Sequence, residues 1–132
     1  DKRVMLTGFC LGGRLAFRAH AALADRVAAS ACFYGGGIAP LEDRFGREDL
    51  LGHIARMRAP LMLFYGADDQ SIRPDEHGRL VEALSSAGLR YGLHVFADTG
   101  HAFFCDERSN YKAAAAAESW ELMLDFFRRQ AA

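Results

Sequence analysis

Cysteine is scarce in this chain, and the few cysteines present form no pattern that would pair them. Cys10, Cys32 and Cys105 make an odd count and contain no C-x-x-C spacing. This argues against a disulfide framework and against a structural zinc site. We therefore expect no metal and no cofactor, and a reducing cytoplasm is the simplest setting.

Long apolar runs and an excess of one charge are also missing. No apolar stretch approaches the roughly 20 residues that cross a bilayer, and no signal peptide is visible. The 16 basic residues nearly balance the 17 acidic ones, leaving a formal net charge of −1. Without a basic surface or an apolar span, neither a nucleic acid nor a membrane is an expected partner. A small-molecule partner fits this composition.

The sequence has no internal repeat and no low-complexity linker, so its 132 residues predict a single unit. It opens at Asp1 without an initiator Met and enters a core-like strand at once. We therefore expect residues 1–132 to be the C-terminal part of one domain whose N-terminal half is missing.

Apolar runs of strand length alternate with amphipathic stretches of helical spacing along the whole chain. This alternation predicts an α/β fold, with parallel strands flanked by helices. A loop is expected over 38–51, with one short helical turn near 48–50. The predicted strands are 3–8, 26–34, 60–65 and 91–96, and the predicted helices are 14–24, 74–85 and 111–129.

A glycine-rich turn between the first strand and the first helix contains Cys10, in the order Gly8-Phe9-Cys10-Leu11-Gly12-Gly13. Strand, G-x-C-x-G and helix form the pattern of a nucleophile elbow, with Cys in place of the usual Ser. Side chains at positions 8 and 12 would collide in so sharp a turn. The helix N-terminus would favour the thiolate. Taken alone, the motif also fits a phosphate-binding turn or a buried cysteine that acts as a small apolar side chain.

Two further strand ends carry chemically active residues. Asp69 follows the third strand and His101 follows the fourth. Functional groups gather at the carboxyl ends of parallel strands, and nucleophile, acid, histidine is the chain order of α/β-hydrolases. Asp68 competes for the acid role, but the G-x-x-D spacing favours Asp69 and leaves Asp68 as a solvated turn residue.

These residues divide the work of nucleophilic catalysis. His101 would take the Cys10 proton, Asp69 would orient the imidazole, and the backbone N–H of Leu11 would stabilise the oxyanion. Phe9, Phe103 and Arg108 are the predicted substrate-binding residues. The remaining cysteines and histidines are given structural roles: Cys32 in the core, Cys105 in a wall or in packing, His94 structural within a strand, and His20, His53 and His77 at the surface.

The chain resembles the dienelactone hydrolase (carboxymethylenebutenolidase) family of α/β-hydrolases. The matching segments are GFCLGGR (8–14), CFYGGGI (32–38), PLMLFYGADD (60–69), GHAFFCDERSNY (100–111) and ELMLDFF (121–127). The resemblance implies a triad of Cys10, Asp69 and His101 that hydrolyses an enol-lactone through an acyl-thioester. Cysteine suits the good leaving group of an activated enol ester.

The sequence departs from the family pattern in two ways. The family places an arginine shortly after the histidine, where it pairs with a substrate carboxylate. Here that position is Cys105, and the nearest arginine is Arg108. Other lactones or small activated esters therefore stay open, as do an esterase or thioesterase of the same fold and a non-catalytic fragment kept for binding or oligomerisation.

The second departure is length, because family members are about twice as long as this chain. The other half would supply the first strands, a second oxyanion donor and an acidic residue that interacts with the resting thiol. Without it, the first strand would expose an unpaired edge with Val4, Met5 and Leu6, which favours pairing with a preceding segment or self-association.

Overall fold

The computed structural model describes residues 2–131, which form four strands and three α-helices in alternation. Two 3-10 helices, Ala24–Arg26 and Leu51–Arg56, lie in the connections. The strands are β1 (Val4–Phe9), β2 (Val27–Phe33), β3 (Leu61–Gly66) and β4 (Tyr91–Phe96), and the helices are α1 (Leu11–Ala22), α2 (Pro74–Ser86) and α3 (Ala113–Ala131).

The four strands form one parallel sheet in the order β1-β2-β3-β4. Gly8 pairs with Cys32, Phe33 pairs with Phe64, and Phe64 pairs with His94, so the register runs across the whole sheet. Because all strands point the same way, their carboxyl ends share one edge. The loops that carry Cys10, Asp69 and His101 leave the sheet at that edge.

The two faces of the sheet are covered by different helices. Ser30 of β2 contacts His20 of α1. Phe33, which lies on the opposite face because side chains alternate along a strand, packs on Phe104, and Phe104 packs on Trp120 of α3. Phe33 is fully buried, and truncating such a side chain costs about 3–5 kcal/mol. The predicted α/β architecture is confirmed.

Most element boundaries lie within two residues of the predictions, and two elements depart further. Helix α1 begins at Leu11, directly after Cys10, and not at Arg14. The helical turn expected near 48–50 is replaced by the 3-10 helix Leu51–Arg56, which starts after Leu50. Leu50 is fully buried and donates its N–H to the Ile38 carbonyl, so this residue closes the loop before the helix starts.

The prediction of surface positions for His20 and His77 is wrong. His20 has no exposed surface, because it lies on the face of α1 that also buries Phe17 and Ala21. Burial lowers the pKa of His20 to about 4, so it is neutral at pH 7. His77 is 6% exposed and packs on the Tyr65 ring, with 4.5 Å between ring centroids.

The other predicted structural residues lie as follows. His53 is partly exposed, 3.6 Å from Glu48. His94 lies in β4 and stacks on Phe64. Cys32 is fully buried in β2, so its assignment to the core is confirmed.

Strand β1 lies at one edge of the described sheet. Val4 is 44% exposed, whereas Met5 and Leu6 are half-buried, so the expected exposure of all three is only partly correct. Across residues 2–131, no helix is both long enough and apolar enough to cross a membrane.

Candidate active site

Cys10 sits between β1 and α1 in a strained backbone conformation, with φ 57° and ψ −119°. Its N–H donates to the Phe33 carbonyl at 3.0 Å, and its own carbonyl accepts from the N–H groups of Gly13 and Arg14. A left-handed φ at a non-glycine residue costs about 1–3 kcal/mol and persists only where neighbours hold it. These three hydrogen bonds fix the turn.

The close approach inside this turn involves Gly8 and the backbone of Gly12. A Cβ on Gly8 would lie 2.0 Å from the Gly12 oxygen and 2.3 Å from its carbonyl carbon. A Cβ on Gly12 would have nothing within 4 Å. The steric requirement expected at both positions therefore holds at Gly8 and not at Gly12, because the Gly12 side-chain direction is open.

The thiol, the imidazole and a carboxylate form a continuous chain of contacts. Cys10 Sγ lies 3.2 Å from His101 Nε2, and His101 Nδ1 lies 2.6 Å from Asp69 Oδ2. The arrangement fits an imidazole whose Nδ1–H donates to Asp69, which leaves Nε2 to accept the thiol proton. Residues 10, 69 and 101 are thus brought together from three strand ends.

Asp69 is held in place by its own loop. Its Oδ1 accepts the N–H groups of Ser71 and Ile72 at 2.8 and 3.0 Å, which leaves Oδ2 for the imidazole. The Asp69 side chain is fully buried, whereas Asp68 is exposed. Of the two candidate acids, only Asp69 contacts His101 among the described residues.

The acid loop and the histidine loop are joined to each other as well as to the sheet. The Asp68 N–H donates to the Thr99 carbonyl at 2.9 Å. A Cβ on Gly66, where β3 ends, would lie 2.3 Å from that same oxygen. The close packing of these two loops sets the distance between Asp69 and His101.

Electrostatics at the site increase the proton affinity of the imidazole. The hydrogen bond from His101 to Asp69 raises the pKa of His101, burial opposes this shift, and the contact with Cys10 adds to it. Elsewhere, burial raises the pKa of Cys32 to about 12, so this thiol stays protonated at neutral pH.

Backbone strain is concentrated around these loops. Within residues 2–131, the non-glycine residues with positive φ are Cys10, Tyr34, Asp98 and Ala102. Cys10 carries the thiol itself, Asp98 and Ala102 lie within three residues of His101, and Tyr34 packs against His101. Strain of this kind persists only where the surrounding structure holds the backbone in place, and it often clusters at active sites.

A cavity of about 500 Å³ opens beside the thiol, with Cys10, Leu11, His101 and Arg108 in its lining. This size suits a small organic ligand. Leu11 is the first residue of α1, so its N–H has no acceptor within the helix and is free for a ligand.

The far wall of this cavity is built by the loop between β2 and β3. Asp43 and Arg47 of this loop form an ion pair at 2.8 Å, and the Arg47 guanidinium lowers the pKa of Asp43. Arg14 of α1 donates to the carbonyls of Gly37 and Glu48. This buried arginine therefore ties the loop to the helix that follows the thiol.

One of the predicted substrate-binding residues lies out of reach of a ligand, and a second packs among aromatic rings. Phe103 is fully buried against Tyr34 and Phe96, so the expectation that it contacts a ligand fails. Phe9 packs against Phe33 and Phe104, with ring centroids 4.5 and 5.0 Å away, and its role in binding stays a prediction.

Sequence reasoning missed Glu76, which lines the cavity, is 6% exposed and accepts the Ala39 N–H at 3.1 Å. Burial raises its pKa. Acids in a first helical turn are usually solvated, so the sequence carried no signal for this burial.

Over residues 2–131, no group of three or more His, Cys, Asp or Glu side chains is placed to hold a metal ion.

A parallel sheet with flanking helices and a nucleophile elbow at its carboxyl edge define the α/β-hydrolase fold. A sequence profile of the dienelactone hydrolase family matches residues 1–131. The chain belongs to that family.

Curated relatives in bacteria carry a name from the same family. The "Putative carboxymethylenebutenolidase" of Escherichia coli K12 is 33% identical over 129 residues, which are 96% of this chain and 46% of the relative. A protein of the same name from Synechocystis sp. is 30% identical over 98% of this chain and 51% of its own length. The chain thus spans about half the length of the curated relatives it matches.

Solved structures agree with the family assignment. The "Putative Dienelactone Hydrolase" of Klebsiella pneumoniae superposes with a TM-score of 0.83 at 29% identity, over 94% of this chain and 51% of that one. The dienelactone hydrolase-like promiscuous phosphotriesterase P91, from metagenomic libraries, gives a TM-score of 0.78 at 19% identity, over 96% and 52%. At that identity, the second likeness supports the fold alone.

Proposed function

We propose that this chain carries the catalytic residues of a hydrolase that cleaves a lactone or an activated ester through Cys10. The observation that carries the proposal is the contact chain from Cys10 Sγ to His101 Nε2 at 3.2 Å and from His101 Nδ1 to Asp69 at 2.6 Å. Family membership supports a hydrolase, and the thiol at the elbow supports a cysteine nucleophile.

In the first half-reaction, Cys10 sulfur attacks the acyl carbon while His101 Nε2 takes the thiol proton. Asp69 stabilises the resulting imidazolium, consistent with the raised pKa of His101. The negative charge on the former carbonyl oxygen is stabilised by the Leu11 N–H, worth about 3 kcal/mol when well aimed. The C–O bond then breaks, and the leaving oxygen receives the proton from His101.

The second half-reaction hydrolyses the acyl-thioester. His101 takes a proton from water, whose oxygen attacks the thioester carbon and forms a second tetrahedral species. When the C–S bond breaks, the sulfur leaves as thiolate and regains its proton from His101, which restores the resting site. An enol ester suits this nucleophile, because its leaving group is good and needs little help from the protein.

Arg108 is the residue that we assign to substrate binding. It lines the cavity together with Cys10 and His101, and a guanidinium binds carboxylates well. A lactone or ester that carries an acidic group is therefore the preferred substrate. A nucleophilic thiol is oxidised easily, so we place its action in the reducing cytoplasm.

The test compares Cys10→Ala with Cys105→Ala, which removes a second partly buried thiol. With a dienelactone and an aryl acetate as substrates, we expect Cys10→Ala to lose about 1000-fold or more in kcat/KM and to stay folded. Cys105→Ala should retain turnover. Hydrolysis by Cys10→Ala at the rate of the unmodified protein would remove Cys10 from the mechanism.

Self-association through β1, which lies at the edge of the described sheet, is a second proposal. Val4 is 44% exposed at this edge, and the unpaired N–H and C=O groups of an edge strand readily pair with another strand. We propose a second copy of this chain as the partner.

A further inference from the structure

Tyr34 occupies a position that core packing alone does not explain. It follows Phe33 at the end of β2 and has a left-handed backbone, with φ 37°. Its N–H donates to the Phe64 carbonyl at 2.7 Å, and the residue is 2% exposed. A bulky side chain in this conformation is uncommon, so the position has a purpose that outweighs the strain.

The ring of Tyr34 touches the segment that carries the histidine. Its edge meets the His101 imidazole with 5.2 Å between centroids and a 62° interplanar angle. It meets Phe103 in the same way at 5.1 Å and 70°. Edge-to-face contacts between aromatic rings are favourable and directional, so the tyrosine restrains the rotation of the imidazole.

The hydroxyl of Tyr34 points toward the same segment. The backbone of Phe104 lies near it, as do the side chains of Cys10, Cys105 and Arg108. Burial raises the pKa of Tyr34 to about 12, so the hydroxyl stays neutral at physiological pH. A neutral phenol oxygen in this place has a lone pair for the Phe104 N–H, and such a hydrogen bond would anchor the chain three residues after His101.

We propose that Tyr34 is a positioning residue that holds the His101 imidazole at hydrogen-bond distance from Cys10. This inference rests on the proposed function. Asp69 fixes only Nδ1 of the imidazole, and the Asp68–Thr99 hydrogen bond fixes the chain before His101. Tyr34 supplies the restraint on the ring and on the chain after it.

The test uses Tyr34→Phe with Tyr65→Phe as its matched control. Tyr65 is also a buried tyrosine at a strand end; its hydroxyl donates to the Gly35 carbonyl at 3.3 Å and its ring packs on His77. Both variants lose one buried hydroxyl, so a general loss of packing would affect them alike. The primary readout is the rate at which iodoacetamide alkylates Cys10 as a function of pH, followed by mass spectrometry.

We expect Tyr34→Phe to alkylate Cys10 about tenfold more slowly at pH 7, because a misplaced imidazole no longer accepts the thiol proton efficiently. Tyr65→Phe should keep the unmodified rate and pH profile. With an ester that the unmodified protein hydrolyses as the substrate, Tyr34→Phe should lower kcat and leave KM within about twofold of its original value. Equal rates in all three proteins, or equal losses in both variants, would overturn the proposal.

Hydrogen exchange of the unmodified protein gives a second readout, which decides the question if Tyr34→Phe fails to fold. The Phe104 amide should exchange slowly because the tyrosine oxygen accepts it. Exchange as fast as that of an exposed loop amide would refute the anchor. Alkylation and exchange need no substrate, so these results are independent of whether Cys10→Ala abolishes hydrolysis.

Discussion

The substitution Gly8→Ala tests the construction of the elbow. The added Cβ would lie 2.0 Å from the Gly12 oxygen, which is well inside the 3.0 Å that real Cβ atoms keep from other atoms. Both partners are backbone atoms of a turn fixed by three hydrogen bonds at Cys10, so neither can rotate away. Overpacking of this kind costs roughly 1–3 kcal/mol, and the rigid surroundings favour about 3 kcal/mol.

Gly12→Ala provides the matched control, because it adds the same methyl group four residues away. Nothing lies within 4 Å of that Cβ, and Gly12 is in the first turn of α1. Alanine should therefore stabilise the protein by about 0.5–1 kcal/mol. The two variants should differ by about 4 kcal/mol in unfolding free energy, or roughly 15 °C in Tm.

Urea unfolding followed by the fluorescence of Trp120, the single tryptophan, measures this difference. The Trp120 ring packs on Phe104 near the site, so its signal reports the loss of local packing. Similar midpoints for Gly8→Ala and Gly12→Ala would show that the turn can open at little cost. The steric account of the glycine in G-x-C-x-G would then be refuted.

Three further predictions follow from other parts of the molecule. Burial lowers the pKa of His20 to about 4, so between pH 6.5 and 4 His20 is protonated in the unfolded chain and neutral in the folded protein. The unfolding free energy should therefore fall by about 3 kcal/mol as the pH is lowered over that range. Urea unfolding of His20→Leu should show most of this pH dependence lost. Arg108→Ala should abolish any preference of Cys10 for iodoacetate over the neutral iodoacetamide; an unchanged ratio of the two rates would exclude Arg108 from anion binding. Val4→Lys should shift light-scattering mass toward the monomer by charging the edge of β1, and an identical mass distribution would contradict pairing through this edge.

The strand-and-helix pattern could be predicted because burial in a parallel sheet leaves continuous apolar runs of strand length. Strand β4 has the predicted bounds, and α2 differs by one residue. His20 was misassigned although its spacing from Phe17 placed it on the buried face of α1. Its burial depends on Ser30 of the neighbouring strand, a partner ten residues away that helical spacing alone does not identify.

For the site, chain order and strand ends were sufficient to select residues 10, 69 and 101, because parallel strands bring their carboxyl ends together. The residues that form the walls of the cavity beside Cys10 could not be predicted in the same way. Glu76 and Arg14 are buried through hydrogen bonds to backbone groups of the loop between β2 and β3. An irregular loop has no periodicity, so no sequence pattern indicates where its N–H and C=O groups will point.

The Cys10 sulfur and the His101 imidazole follow the two outermost strands of the described sheet, β1 and β4. Three inter-strand spacings, about 14 Å in all, separate these strands, and the loop after β4 must reach back across that width. The Phe33–Phe64 stack, with centroids 4.7 Å apart, fills the middle of the span. A change of side-chain volume at Phe33 would displace Phe104, which packs on it three residues after His101. It would thereby alter the 3.2 Å gap between sulfur and nitrogen, although the Phe33 ring touches neither group.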